Sequence, residues 1–382
     1  MSTEKTPIKL WLDDIEEGAL EQAKNLANLP FTYKHVAIMP DSHYGYGMPI
    51  GAVLATNAVV IPNAVGVDIG CGMCAMKTNI KELDTNQLKS ILGTARKLIP
   101  VGKNSHNNAQ DETLMPINHT NLFVVGSNYK KATKQIGTLG GGNHFIEIQK
   151  GSDGFIWVMI HSGSRNLGYK VASHYNELAK KLNQRYYSTV DPKMGLAFLP
   201  IETDAAKQYL DEMQYCIDFA LANRMLMMNR VIDAFTKNIG EFNHDEIINE
   251  SHNFAAWENH FGENVIVHRK GATRAFEGEL GMIPGSQGTK SYIVRGLGNP
   301  QSFKSCSHGA GRKMSRTKAQ NELNLKYEIK LLSDQGIIHS IRHKKDLDEA
   351  SSAYKDIAIV MENQDDLAEI VVELQPLAVL KG

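Results

Sequence analysis

A chain of 382 residues with 42% hydrophobic content has room for a sizeable core, and its length is a prior for about two domains. Four cysteines are too few for a disulfide framework, so a cytoplasmic, reducing setting is expected. No run of 18 apolar residues is present to span a membrane. A net charge of −1 supplies no global field that would recruit a polyanion. The opening MSTEKTPIKLW has no apolar stretch of signal-peptide type.

In chain order, LDDIEEGALEQAKNLANL (12–29) has helical character and is closed by Pro30. A glycine turn, GYGMPIG (45–51), precedes the stretch VGVDIGCGMC (65–74), in which Asp68 and Cys71 stand three apart among glycines. A second turn, GTLGGGN (137–143), comes before FIWVMI (155–160), an apolar run of buried-strand type. The longest helical candidate is Asp204 to Lys237. There Leu210, Met213, Ile217, Leu221 and Met228 follow a 3–4 spacing, and the methionines read as core packing. NVIVH (264–268) is another buried strand, followed by turns at PGSQG (284–288) and SHGAG (307–311). One helix is expected after Ser315, through KAQNELNLKYEIKLL. This is a mixed α/β pattern without repeats, and no linker or composition break marks a domain boundary.

Charge is unevenly placed. From Leu280 to Asn321 there is no Asp or Glu, but there are seven cations: Lys290, Arg295, Lys304, Arg312, Lys313, Arg316 and Lys318. Such a block can make a local phosphate-binding face, although a solvated basic surface accounts for it equally well.

Histidines collect at the glycine-rich turns: His144 in GGGNHFIE, His161 in IHSGSR, His252 in SHNFAAWE and His308 in SCSHGAGR. Any one alone reads more readily as a structural histidine. Together with Asp68 and Cys71 they supply a carboxylate, a thiolate and imidazoles, the inventory of a transition-metal site. Cys71-x-x-Cys74 also has the spacing of half a zinc ribbon or a redox pair, but no second CxxC completes a ribbon and no thioredoxin-like context surrounds it. Cys74 and Cys306 read as packed thiols. A thiolate can bridge two ions, with Asp68 on one of them, and the glycine turns can offer backbone N–H groups to phosphates. None of these turns is a Walker A loop. The residues thus point to a dinuclear metal centre facing a polyphosphate or nucleic-acid pocket, with the reaction open. A dinuclear metal-dependent phosphoesterase is one candidate.

The ordered set VGVDIGCGM, GGGNHFIE, IHSGSRNLG, SHNFAAWE, VHRKGATRA, IPGSQGT, SCSHGAGR and the terminal VLKG closely resembles the RtcB-type RNA-splicing ligases. With MPDSHYGYGMPIG it covers nearly the whole chain. The resemblance implies a single α/β domain over residues 1–382 with its site in a central cleft. It implies a GTP- and manganese-dependent enzyme joining RNA 3′-phosphate or 2′,3′-cyclic phosphate ends to 5′-hydroxyl ends, in RNA repair or tRNA splicing. On that likeness Asp68 and His144 hold one Mn²⁺, His161 and His252 hold a second, and Cys71 bridges them. His308 matches the nucleophile that becomes guanylylated. Asn143, His144, Phe145, Ile146 and Glu147 match guanylate-binding positions. So do His252, Asn253, Pro284, Gly285, Ser286, Gln287, Ser291, Gly309, Ala310, Gly311 and Lys381. Arg165, Lys270 and Arg312 match basic residues near the phosphates. Arg312, four residues after His308, would lie one helical turn on if a helix starts there.

Glu147 could accept hydrogen bonds from the guanine N1 and N2 donors. Metal identity comes only from the likeness, because a thiolate with imidazoles also suits zinc or cobalt. A monomer is expected, and an activating protein partner is a family property that these residues do not encode legibly. Two departures stand out: a short stretch between the Cys71 and Asn143 motifs, and Gln287 where methionine is usual in the family turn.

Overall fold

Strand β1 (Ile8–Leu10) runs parallel to β2 (Thr32–His43), which pairs antiparallel with β3 (Ile50–Thr56) in a computed structural model that describes residues 3–382. Between β1 and β2 lies helix α1 (Glu17–Ala27). Its buried Ala19, Gln22, Ala23, Leu26 and Ala27 recur at the 3–4 spacing of one helical face. It starts later than residues 12–29 suggest, because Glu16 sits in extended backbone at its N-cap. Near the end of β2, Ile38 pairs with Ala52 but His43 with Ile50. The intervening segment, with Asp41 in it, therefore bulges from the ladder.

The chain continues through β4 (Val59–Val60), α2 (Pro62–Val65), β5 (Gly72–Lys77), α3 (Thr85–Leu98) and α4 (Phe123–Ala132). Then come β6 (Phe145–Gly151), β7 (Ile156–Ser162), α5 (Arg165–Arg185), β8 (Leu199–Pro200) and α6 (Asp204–Ile239). Next are β9 (Ile248–Ser251), β10 (Asn253–His260), β11 (Glu263–Lys270), β12 (Ala272–Arg274), β13 (Leu280–Ile283), β14 (Ser291–Gly296) and β15 (Ser305–Ser307). Helices α7 (Arg316–Glu322), α8 (Leu325–Asp334) and α9 (Ile357–Glu362) precede the final strand β16 (Ala368–Lys381). This is the mixed α/β class that the sequence pattern suggests.

Two large sheets organise these strands: β1-β2-β3-β11-β10 and β13-β14-β16-β6-β7-β5-β9. The second is antiparallel throughout. One of its faces buries Cys74, Met76, Ile146, Ile148, Ile156, Val158 and Ile160 against residues of α3 and α6. The other carries Met73, Phe145, Met159 and Val379. His252 lies between β9 of one sheet and β10 of the other, so the chain crosses between sheets at a candidate ligand.

Helix α6 runs 36 residues, slightly beyond the 204–237 expected from spacing. Met213, Met227 and Met228 are buried in the core, whereas Leu210, Ile217 and Leu221 are only half-buried. The face also buries Glu212, Asn223 and Arg224, polar residues that the apolar pattern does not announce. The single helix expected after Ser315 is two. Leu323 turns into extended backbone, and the Asn324 side chain caps α8 by accepting the Tyr327 N–H. No described helix is long and apolar enough to cross a membrane.

Candidate active site

Asp68 and Cys71 sit in the loop between α2 and β5, folded down onto α6. Gly70 has φ 72°, and a Cβ there would come 2.9 Å from the Ile217 Cα, so the loop can seat only with glycine at this position. The fully buried Arg224 guanidinium lies beneath it. It donates to the Gly70 and Ser162 carbonyls at 2.8 and 2.9 Å, to Asn249 Oδ1 at 2.7 Å and to Ser251 Oγ at 3.2 Å. The segments bearing Cys71, His161 and His252 are thereby tied to one side chain. Its neighbour Asn223 accepts the Gly137 and Thr138 N–H groups and donates to the Thr138 and Gly163 carbonyls. That fixes the glycine turn before His144.

The ligand atoms converge. Cys71 Sγ lies 3.5 Å from His144 Nε2 and 3.3 Å from His161 Nε2. His144 Nε2 is 3.1 Å from Asp68 Oδ2, and the Nε2 atoms of His161 and His252 are 3.3 Å apart. Carbonyls of Leu139 and Asn143 face Nδ1 of His144 and His161, at 2.9 and 3.2 Å. A carbonyl can only accept, so Nδ1 carries the proton and each Nε2 offers a lone pair inward.

Two overlapping triplets result, Asp68–Cys71–His144 and Cys71–His161–His252, with Cys71 common to both. Burial and neighbouring imidazoles hold His161 and His252 well below the ordinary histidine value, so both are neutral donors. Burial opposes the Asp68 carboxylate, but contacts with His144 and Cys71 and the Arg165 charge hold it below the usual carboxylate range. Burial and the Asp68 charge push the Cys71 thiol well up, partly countered by Arg224. Converging lone pairs beside a buried thiol are unfavourable unless cations stand between them, so the donor set fits two metal ions.

His308 follows β15 and faces this cluster, its ring centroid 4.7 Å from that of His252. Its Nδ1 is 2.6 Å from Oδ2 of the fully buried Asp41, which also accepts the His308 N–H at 3.2 Å. The bulge in β2 delivers Asp41 to this spot. With Nδ1 committed to a carboxylate, Nε2 is left with the free lone pair. A cavity of about 320 Å³ joins His308 to Asp68, Cys71, His161 and His252 and continues past Phe145, Glu147, the 284–287 turn and Lys381.

The profile of the tRNA-splicing ligase RtcB family matches residues 22–123 and 117–382. The chain belongs to the RtcB family. It is 38% identical to the RNA-splicing ligase RtcB of Escherichia coli K12 over 100% of this chain and 99% of that protein. It is 33% identical to the tRNA-splicing ligase RtcB of Nanoarchaeum equitans, covering 98% of this chain and 95% of the relative. For the Thermococcus kodakarensis tRNA-splicing ligase RtcB the figures are 31%, 99% and 95%. As a member of a family of ligases, the chain is an enzyme. The RtcB profile match divides at 117–123, inside the stretch between the Cys71 and Asn143 motifs that reads as short in the sequence.

Most of the residues matched to RtcB guanylate positions line the cavity: Asn143, Phe145, Glu147, His252, Asn253, Pro284 through Gln287, His308 through Gly311, and Lys381. Two do not. The Ile146 side chain alternates to the opposite face of β6 and packs with Cys74 and Ile148. Ser291 turns its hydroxyl to the Gly285 N–H, so it shapes the turn from behind.

Arg312 lines the cavity, but not by way of a helical turn. Residues 308–315 are irregular, α7 begins only at Arg316, and Arg312 is held by the Asp348 carbonyl and Glu349. Arg165 has φ 59° at the start of α5 and reaches the Thr138 hydroxyl and Gly102 carbonyl, outside the cavity lining. Gly140 is Cβ-less beside it, where a Cβ would meet both Arg165 and His144. Lys270 lines the cavity and donates to the Tyr46 and Asn63 carbonyls at 2.6 and 3.2 Å; burial lowers its ammonium to about 7.

Sequence reasoning passed over Asp41, Arg224, Asn223 and Glu349. Glu349 is buried at the cavity wall and engages Arg312, Arg316, Lys381 and the Tyr354 hydroxyl. A detectable signal existed for Arg224, a cation on the buried stripe of α6. Glu349, in a charged run, had none.

Proposed function

We propose that this RtcB-family enzyme joins RNA 3′-phosphate or 2′,3′-cyclic phosphate ends to 5′-hydroxyl ends, using GTP and two Mn²⁺ ions. The observation that carries the reading is a histidine with Asp41 on its Nδ1, sharing one cavity with Asp68, Cys71, His161 and His252 of the two donor triplets. Asp68, Cys71 and His144 would hold one ion, and Cys71, His161 and His252 the other. Bound there, the ions would neutralise charge on a transferring phosphoryl group.

His308 Nε2 attacks the α-phosphorus of GTP; the bond to the pyrophosphate oxygen breaks and pyrophosphate leaves. Asp41 orients the imidazole and stabilises its positive charge. The GMP then passes to an oxygen of the RNA 3′-phosphate, releasing the imidazole. A 5′-hydroxyl oxygen attacks the RNA phosphorus, gives up its proton, and expels GMP. A cyclic end first takes up water to become a 3′-phosphate. Glu147, in the cavity lining and within the field of Lys381, would receive the guanine N1 and N2 donors. The same reading treats residues 1–382 as one catalytic domain, since the cavity draws its walls from His43 to Lys381.

Incubation with α-labelled GTP and Mn²⁺, followed by denaturing separation, tests this. Wild type is expected to carry label, and His308→Ala to lose it while still binding metal. An unlabelled wild type would instead leave a dinuclear phosphoesterase.

A further inference from the structure

The segment Tyr44–Pro49, between β2 and β3, is flanked by His43 and Ile50, both of which line the cavity. It holds two aromatic rings in the open, Tyr44 at 59% and Tyr46 at 61% exposure. Each ring is backed by a glycine. A Cβ on Gly18 of α1 would lie 2.8 Å from Tyr44 Cδ2, and one on Gly195 would lie 3.7 Å from Tyr46 ring atoms. Both rings therefore rest against bare main chain on one side and present themselves to solvent on the other.

The loop is held in place. The Tyr44 N–H donates to Glu16 at 3.1 Å, Gly45 exchanges two hydrogen bonds with the Gln22 side chain, and the Tyr46 carbonyl accepts from Lys270 at 2.6 Å. Gly195 is anchored in turn by Asn63 Nδ2 at 2.6 Å. The exposure is thus a property of a fixed loop. Beside it stands one surface cation: the Lys180 ammonium of α5, paired with Glu177 at 2.7 Å, neighbours the Tyr46 phenol. An exposed flat ring with a cation at its phenol matches a nucleotide of a single strand, whose base stacks while a flanking phosphate draws Lys180 from Glu177.

We propose that Tyr44 and Tyr46 form a stacking platform for RNA bases beside the ends being joined, with Lys180 meeting a flanking phosphate. The inference rests on the RNA-ligase reading for its ligand, and adds to it where the strand lies outside the cavity.

The test uses the full chain, short RNA strands ending in a 3′-phosphate or beginning with a 5′-hydroxyl, and direct binding titrations alongside GTP labelling and ligation. Tyr46→Ala and Tyr44→Ala are expected to weaken binding of at least one strand about 5- to 100-fold, the range for a lost stacked base. Tyr46→Trp should retain affinity, and GTP labelling should be unchanged in all three. Removing the base nearest the junction from the RNA should erase the difference between wild type and Tyr46→Ala.

Wild-type affinity in both alanine variants overturns the proposal, as does an equal loss with the abasic strand. Parallel loss of GTP labelling would assign the rings to the cavity wall instead. A wild type that binds RNA through these tyrosines but takes no label and joins nothing would keep the platform and remove the ligase reading.

Discussion

Asp41 donates nothing and accepts from both the ring and the main chain of His308. Its role is to fix which nitrogen is free, so Asp41→Asn should leave GTP binding intact and slow covalent labelling by about 10²-fold or more. Equal labelling rates in the two proteins would remove Asp41 from that role. Glu147 makes a different prediction. Burial raises its carboxyl from 4.5 to about 8, opposed by hydrogen bonding from Gln149 and by Lys381. The folded state therefore binds more protons than the unfolded chain between pH 4.5 and 8, and Glu147's stabilising contribution is lost as pH rises through that window. Denaturant titrations of Glu147→Gln, in the absence of nucleotide, should show a flatter pH dependence there. Guanine donors and Lys381 favour the ionised acid, so the same variant should also label poorly with GTP.

At the scale of elements, α6 does more than close the core. Four hydrogen bonds from Arg224 reach the Asp68–Cys71 loop, the end of β7 and one face of β9. Arg224→Met would leave buried carbonyls without donors and should destabilise the protein by on the order of 3 kcal/mol, read by chemical denaturation. Metal stoichiometry should fall with it, since three ligand-bearing segments lose their common anchor. Arg224→Lys keeps the charge without the planar fork and should recover part of the stability but little of the metal. Full metal uptake by Arg224→Met would reduce this residue to ordinary core support. The register of β6, β7 and β16 matters equally. Lys381, Phe145, His161 and Met73 lie side by side across the sheet, so one row carries a candidate ligand, a cavity wall and the chain's last lysine.

Across the whole molecule, the site lies where the two sheets meet, and its donors come from positions 68 to 252 with His308 beyond them. Ions held there would cross-link segments far apart in sequence. Titration with Mn²⁺ should raise the melting temperature progressively, and Cys71→Ala, lacking the shared donor, should lose most of that shift. A shift equal to wild type would remove the shared thiolate from the site. The acid-free block behaves less simply than its composition suggests. Lys290 pairs with Glu373, Lys318 with Glu322, and Arg312 and Arg316 with Glu349. RNA affinity should still fall as salt rises, but with a log–log slope below that for seven free cations. A slope at the full value would mean RNA displaces these acids.

Local chemistry carried the ligand types, the glycine turns, the buried strands and the long helix, because each depends on neighbours within a few residues: a spacing, a turn, an alternation. Asp68 and Cys71 could be singled out for that reason, three apart among glycines. The likeness to the RtcB ligases then indicated which histidines to group. Only the tertiary structure decided that the Asp41 carboxylate meets His308, since a bulge in β2 brings together residues 267 positions apart. Only it decided that Ile146 faces away while Glu147 faces in, because strand alternation has a sense only once the sheet's partners are known. Likewise a buried arginine or glutamate looks, in the chain, like any solvated charge. What makes Arg224 and Glu349 structural is the set of distant carbonyls and cations folding gathers around them.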